Sequence, residues 1–259
     1  MQLNLYSNGF FYSSLTDLEK LNALARKLRP TICDHKMLRI GKLSDGGYLI
    51  PDDLSEIAAC FSPGVEDNSS FELDLISQTD IPSHLADYSV LAAPSNFKPK
   101  SFLKKFVGPI NDDIHITLED WIKFQNEHLH TNDLLLQMDI EGDEYISILS
   151  TSDEILKRFR IIILEIHNVE CWANPIYFKL VENFFQKILN HFYIVHNHPN
   201  NHGKILNLNG FIVPQFMEMT FLRKDRTSIS GYRTDFPHAL DRPCFSGNPE
   251  LILPPNWHG

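Results

Sequence analysis

Apolar residues recur at helical spacing between Ser14 and Leu28, at Leu15, Leu18, Leu21, Leu24, Ala25 and Leu28, and the pattern stops ahead of Pro30. This predicts a leading helix outside the central sheet. Met37 to Ile40 reads as a short strand, and Lys42 to Ile50 as a turn and second extended piece around Asp45-Gly46-Gly47, where the glycines serve backbone shape. From Glu56 onward, apolar strands alternate with amphipathic helices. Ile57 to Phe61 predicts a strand, Ser62 to Asn68 a turn, Ser69 to Ser77 a helix and Ser83 to Val90 a weaker strand. Lys98 to Phe106 fits a helix, Ile114 to Thr117 an extended segment, and a further helix begins near Leu118. The clearest elements follow: strand Leu134 to Met138, helix Glu144 to Phe159 and strand Ile161 to Ile166. Asn174 to His191 reads as a helix, and Tyr193 to His196 and Phe216 to Leu222 as the last strands.

Near-continuous apolar strands imply a sheet covered on both faces. Seven strand candidates separated by helices, the last two joined without one, predict an α/β fold. Its Rossmann-like, doubly wound sheet is mostly parallel and closes with a C-terminal antiparallel hairpin. The expected organisation is a helical extension over 1–36, a main domain over 37–223 and an irregular Pro-, Gly- and Asp-rich segment over 224–259 that packs on it. A chain of 259 residues, 43% of them hydrophobic, has ample material for such a core.

Charge narrows the partners. With 23 basic and 33 acidic side chains the formal charge is −10, which supplies no general attraction to nucleic acid or to an anionic membrane. Cys33, Cys60, Cys171 and Cys244 form no CxxC pair, which argues against a zinc ribbon or a disulfide scaffold. Met1 to Ser14 lacks the pattern of a signal peptide and no apolar run has membrane-spanning length, so a cytoplasmic location is expected. The expected partner is a small-molecule or carbohydrate acceptor; oligomeric state is left open.

In an open α/β sheet, ligands bind beyond the carboxyl ends of the strands. After Phe61 the chain reads Ser62-Pro63-Gly64-Val65-Glu66-Asp67, which does not match GxGxxG. Glu66 and Asp67 would repel phosphate but suit a ligand with a cationic centre such as a sulfonium, while a turn with no ligand role is the other reading. Asp87, near the end of the next strand, is placed to accept hydrogen bonds from ribose hydroxyls. Three later segments carry ionisable groups to the same edge: Asp139 with Glu141, Glu165 with His167, and His196 with His198. Two chemistries fit them. A His or Asp can take the proton of an attacking substrate hydroxyl, or Asp139, His167 and a histidine of the 196–202 loop can hold a divalent ion that lowers that hydroxyl's pKa. A plain helix start at Asp143 and Glu144 and a polar surface turn at 196–202 are the simpler alternatives.

Arg39-Ile40-Gly41 with Asp45-Gly46-Gly47-Tyr48, Phe61-Ser62-Pro63-Gly64-Val65, Met138-Asp139-Ile140-Glu141-Gly142-Asp143-Glu144, Leu164-Glu165-Ile166-His167 and Met217-Glu218-Met219-Thr220-Phe221 occur in an ordered series. With Ile116 to Trp121 and His196-Asn197-His198, this series resembles the FkbM-related branch of S-adenosylmethionine-dependent methyltransferases over roughly residues 37 to 245. The resemblance implies a class I methyltransferase fold and methyl transfer from S-adenosylmethionine to a hydroxyl of a sugar or small metabolite. It implies cofactor contacts from Ser62, Gly64 and Glu66, with Asp87 at the ribose and Asp112 or Asp113 near the adenine. Acceptor-side roles would fall to Asp139 and His167, with Glu141, Glu165 and His198 as support or metal ligands, and Arg39 and Tyr48 would cover the pocket or anchor substrate. The alternatives are a metal-dependent transferase or hydrolase acting on carbohydrate, and a noncatalytic glycan-binding protein of the same fold.

Overall fold

The computed structural model describes residues 13–95, 97–125 and 133–258. Residues 1–12, on which most of the leader expectation rests, lie outside them. Helix α1 (Leu18–Lys27) begins later than the spacing predicts because Asp17 caps it, its carboxylate accepting from the N–H groups of Glu19 and Lys20 at 2.9 and 3.2 Å. Strands β1 (Thr31–Cys33), β2 (Met37–Gly41) and β3 (Gly47–Pro51) follow, and the last two pair as an antiparallel hairpin. The chain continues through β4 (Ala59–Pro63), α2 (Ser70–Thr79), β5 (Ser83–Ala86), β6 (Ser101–Leu103), β7 (Phe106–Gly108), β8 (His115–Thr117) and α3 (Leu118–Gln125). It then runs through β9 (Leu134–Met138), α4 (Glu144–Ser150), α5 (Asp153–Leu156), β10 (Phe159–Ile166), α6 (Pro175–His191) and β11 (Phe192–Pro199). Strands β12 (Ile205–Leu208), β13 (Phe211–Pro214), β14 (Met217–Arg223) and β15 (Ile229–Tyr232) complete the order.

Seven strands form the central sheet, in the order β11-β14-β10-β9-β4-β5-β6. Only β14 is reversed, antiparallel to both β10 and β11, while the remaining pairings are parallel. The result is a mixed α/β fold with a mostly parallel Rossmann-like sheet. Strand β10 is buried along its whole length. Its Ile162, Leu164 and Ile166 pack with Trp121, Tyr145 and Phe184, whereas Ile161 and Ile163 pack with Ile40, Tyr48, Phe71 and Leu75. Helices α3, α4 and α6 therefore contribute to the cover of one face, and the β2–β3 hairpin with α2 to that of the other. From β4 the chain steps outward through β5 and β6, then returns with β9 on the opposite side of β4. The β4/β9 boundary is the topological switch point.

Several elements differ from the sequence reading. The expected helix over Lys98 to Phe106 is instead two short strands. Ser101, Phe102 and Leu103 pair with His84, Leu85 and Ala86, and His84 Nδ1 meets Ser101 Oγ at 2.8 Å, so edge pairing overrides helical spacing. The helix expected from Glu144 to Phe159 breaks at Thr151, which is extended. Thr151 Oγ1 donates to Ser147 O at 2.8 Å, and Ser152 caps the new helix α5 by accepting from Ile155 N–H. Phe159 belongs to β10. Strand β11 runs through Pro199, so His196 and His198 are strand residues with buried side chains rather than members of a loop. No helix among the described residues is long and apolar enough to cross a membrane.

Candidate active site at the sheet switch point

A cavity of about 780 Å³ opens at the carboxyl ends of β4, β5, β9 and β10. Gly64, directly after β4, shapes its floor. At φ +83° a Cβ on this residue would stand 1.6 Å from the carbonyl oxygen of Asp139, so only glycine lets the β4 turn approach the β9 turn. Three non-glycine residues near the cavity, Glu66 and Glu141 of its lining and Asn168 next to His167, hold φ values of 43°, 59° and 55°. Such left-handed backbone costs free energy, and here it clusters where the loops after β4, β9 and β10 meet.

The chemically densest part of the wall is built by β9, α4 and β10. Asp139 follows β9, Glu144 opens α4 and His167 follows β10, and one ligand atom from each lies within 4.8 Å of the others. Glu144 folds back over its own loop: Oε1 accepts from the N–H groups of Ile140 and Gly142 at 2.9 and 3.3 Å and lies 3.1 Å from His167 Nδ1. That contact leaves His167 Nε2 facing Asp139 Oδ1 at 3.7 Å and Glu141 Oε2 at 3.5 Å. Behind the ring, Tyr145 donates its hydroxyl to His167 O at 2.8 Å and receives the Trp172 indole N–H at 3.0 Å, and the Phe216 ring meets the imidazole edge-on. The imidazole is thus fixed by packing as well as by charge.

Burial pushes the Asp139 carboxyl up to about 7, opposed by His167 and reinforced by repulsion from Glu144 and Glu141. For His167 burial acts downward, but the hydrogen bond and charge of Glu144, with the charges of Asp139 and Glu141, raise it overall. The carboxyl and the imidazole are shifted upward together. The donors themselves suit a divalent cation. Asp139 Oδ1 and Glu144 Oε2 are buried with no hydrogen-bond partner, and two carboxylates with an imidazole form an ordinary donor set for Mg²⁺, Mn²⁺ or Zn²⁺.

A second polar row crosses the sheet beneath the cavity. Ser62 of β4 hydrogen-bonds with the Glu72 carboxyl and the Gln137 amide oxygen, and Gln137 Nε2 donates to Tyr48 Oη at 3.4 Å. Burial raises Glu72 to about 7. Further along, Glu165 of β10 stands opposite Glu218 of β14, which stands opposite His198 of β11. Burial raises both glutamates, and Glu165 is raised further by Asp139 and Glu218.

The structure brings Gly64, Glu66, Asp87, Asp139, Glu141, Glu165, His167 and Tyr48 to the wall of one cavity. Asp87 is buried, one oxygen accepting from Glu66 N–H at 2.8 Å and the other from Ser89 N–H and Oγ. Ser62 is buried in the polar row rather than at the cavity surface. Asp112 and Asp113 are exposed and do not line the cavity; Asp112 instead holds His115, which does. Arg39 is spent on the backbone carbonyls of Lys42 and Ser44. His198 lies outside the cavity, paired with Asp241 at 3.3 Å and Glu250 at 3.0 Å, and His196 meets Asp241 at 2.8 Å. The third member of the metal-type group is accordingly Glu144 and not a histidine of the 196–202 segment. Glu144 reads as a plain helix start in sequence, and nothing local in the sequence signals that it turns back on the loop.

No protein-family model, curated protein or solved structure matches the chain. The functional reading therefore rests on the cavity itself.

Proposed function

We propose that this protein is an enzyme that uses a divalent cation held by Asp139, Glu144 and His167 to activate an oxygen nucleophile, a hydroxyl group of a small polyhydroxylated molecule such as a carbohydrate for group transfer, or water for its hydrolysis. The observation that carries the proposal is the convergence of these three donors, two of them with unpartnered buried oxygens, at the switch point of the sheet, where Asp139 and His167 line the cavity and Glu144 is fully buried beside them. The bound cation would lower the pKa of the substrate hydroxyl. Glu144 Oε1 accepts from the N–H groups of Ile140 and Gly142, which holds its carboxylate against the loop that carries Asp139. Glu141, exposed and 3.5 Å from His167 Nε2, takes up the released proton and passes it to water.

A second reading, O-methylation from S-adenosylmethionine, is favoured by a different part of the wall. Asp87 and the Gly64 turn stand together at the ends of β5 and β4, and no Lys or Arg among the described residues lines the cavity, an environment suited to a nucleoside carrying a cationic sulfur. Bound there, that cofactor would supply the electrophilic methyl group. Asp87 would accept from its hydroxyls and the acidic wall would favour its charge.

One melting experiment separates the two readings. Titration with Mn²⁺ or Zn²⁺ should raise Tm by about 5–10 °C at roughly a hundredfold excess over Kd, and Asp139→Asn and His167→Ala should abolish the rise. Absence of any cation-dependent shift defeats the metal reading. S-adenosylhomocysteine should raise Tm only if the second reading holds, and Asp87→Ala should then remove that effect.

A further inference from the structure

Phe245 is 48% exposed, yet it is held in place. Its backbone is bolted to the turn after β11 by the buried side chain of Asn201. Asn201 Oδ1 accepts from Phe245 N–H at 2.8 Å, and Asn201 Nδ2 donates to Phe245 O at 2.8 Å and Asn248 O at 3.1 Å. In return Asn248 Nδ2 donates to Asn201 O at 2.8 Å. Gly247 sets the ring itself: a Cβ there would stand 2.5 Å from Phe245 Cε1 and 2.8 Å from Cζ, so the absent side chain lets the phenyl group lie over its own turn. Exposed apolar residues scattered singly need no explanation, but one fixed in this way has already lost the freedom that binding would otherwise cost.

The fixed ring continues the cavity wall outward. His202, on the same turn as Asn201, lines the cavity, and its imidazole meets the Phe245 ring at 5.4 Å between centroids and 89° between planes. Phe245 stands beyond the lining, so a ligand that reaches it passes His202 and leaves the cavity. On the inner side, Phe216 packs against Gly203 and its carbonyl accepts from Asn200 N–H at 3.1 Å, while its ring meets His167 at 5.4 Å. One border therefore runs from His167 through Phe216 and the 200–203 turn to Phe245. The ligand that suits a flat apolar platform beside an exposed imidazole is a sugar ring. Its C–H bonds, positive at hydrogen, lie on the negative face of the phenyl group, and its hydroxyls reach the imidazole nitrogens. A cavity of about 780 Å³ is in the range that takes drug-sized ligands, more than one sugar ring requires.

We infer that Phe245 and His202 form a sugar-stacking subsite at the cavity mouth, and that the substrate is a glycan of at least two rings, one reacting beside Asp139, Glu144 and His167 while the next lies on Phe245. This deepens the functional reading above and rests on it for the place of the reacting ring. Phe245 stands outside the group of three donors, so the two sites can be tested apart.

Glucose, galactose, mannose and N-acetylglucosamine are titrated calorimetrically beside cellobiose, galactobiose, mannobiose and chitobiose, with phenyl β-glucoside as the aromatic comparison. At least one disaccharide should bind about tenfold more tightly than its monosaccharide. Phe245→Ala should bring that ratio to within about twofold, and Phe245→Trp, which restores a flat apolar ring, should recover it. A ratio near one in all four pairs, no sugar bound through the millimolar range, a ratio unchanged in Phe245→Ala, or phenyl β-glucoside binding more tightly than every disaccharide each overturn the subsite. The rise of Tm with Mn²⁺ is read in parallel on the wild type and Phe245→Ala. A rise in both with no preference for a disaccharide defeats the subsite and leaves the metal reading standing. A Phe245-dependent preference without the rise upholds the subsite and defeats the metal.

Discussion

Glu72 is a carboxyl buried beside another polar side chain rather than a cation. Its contact with Ser62 lowers its pKa, but burial dominates and raises it to about 7 from an ordinary 4.5. The folded state thus keeps this proton after the unfolded chain has lost it. The contribution to stability is complete below about 4.5, falls as pH rises towards 7 and is constant beyond. Over that window the wild type should lose about 3 kcal/mol relative to Glu72→Gln, which keeps a donor for Ser62 and has no charge to bury. Urea denaturation of both proteins across the range checks this; parallel pH curves would refute it. The same burial explains which site residues the sequence discloses. Asp139 and His167 are legible because they end apolar strands. Glu72 and Glu144 are not, because a glutamate in the first turn of a helix reads as a favourable dipole partner, and nothing local shows that it folds inward.

At the scale of elements, strands that carry the core were legible and those held by pairing at an edge were not. Leu134–Met138 and the core of Phe159–Ile166 follow from apolar runs, whereas Ser101–Leu103 exists through its pairing with β5. The β12–β13 hairpin had a local signal in Asn209-Gly210, whose φ values of 54° and 95° place both turn residues in the left-handed region, the geometry that matches the right-handed twist of paired antiparallel strands. Its register, from Leu208↔Phe211 to Ile205↔Pro214, buries Phe211 and Val213 and offers Ile212 O to the indole of Trp257 at 3.0 Å. Gly210→Val places a β-branched residue at that φ and should cost about 1–2 kcal/mol, read by chemical denaturation. Because the hairpin does not line the cavity, the cation-dependent shift in Tm should be unchanged. A cost below a few tenths of a kcal/mol would show that the turn does not set the pairing.

Across the whole molecule, the segment after β15 is what closes the back of the site. Cys244 O accepts from Asp45 N–H at 3.1 Å, Cys244 S–H reaches Glu218, and Asn201 exchanges hydrogen bonds with the backbone of Phe245 at 2.8 Å in both directions. The strongest tie is Asp241, buried between His196 and His198 and accepting also from His238 N–H at 2.7 Å. Burial acts to raise its carboxyl, but the charges and hydrogen bonds of His196 and His198 hold it well below the usual range. His198 shows the reciprocal shift: burial lowers it, but Asp241 and Glu250 raise it from 6.5 to about 10. A raised histidine stabilises the fold fully below about 6.5, and that contribution drains away as pH climbs towards 10. Asp241→Asn should therefore act in two ways. It should cost about 3–5 kcal/mol at neutral pH, because two buried imidazoles lose their carboxylate, and it should flatten the alkaline loss of stability that the wild type shows. Hydrogen exchange should accelerate over 236–250, and Asp45, tied to that segment through Cys244, should loosen with it. If exchange in that segment and the alkaline slope both stay as in the wild type, the histidine row is not what fastens the segment to the sheet, and the rigidity of the acidic wall must come from the β2–β3 hairpin alone.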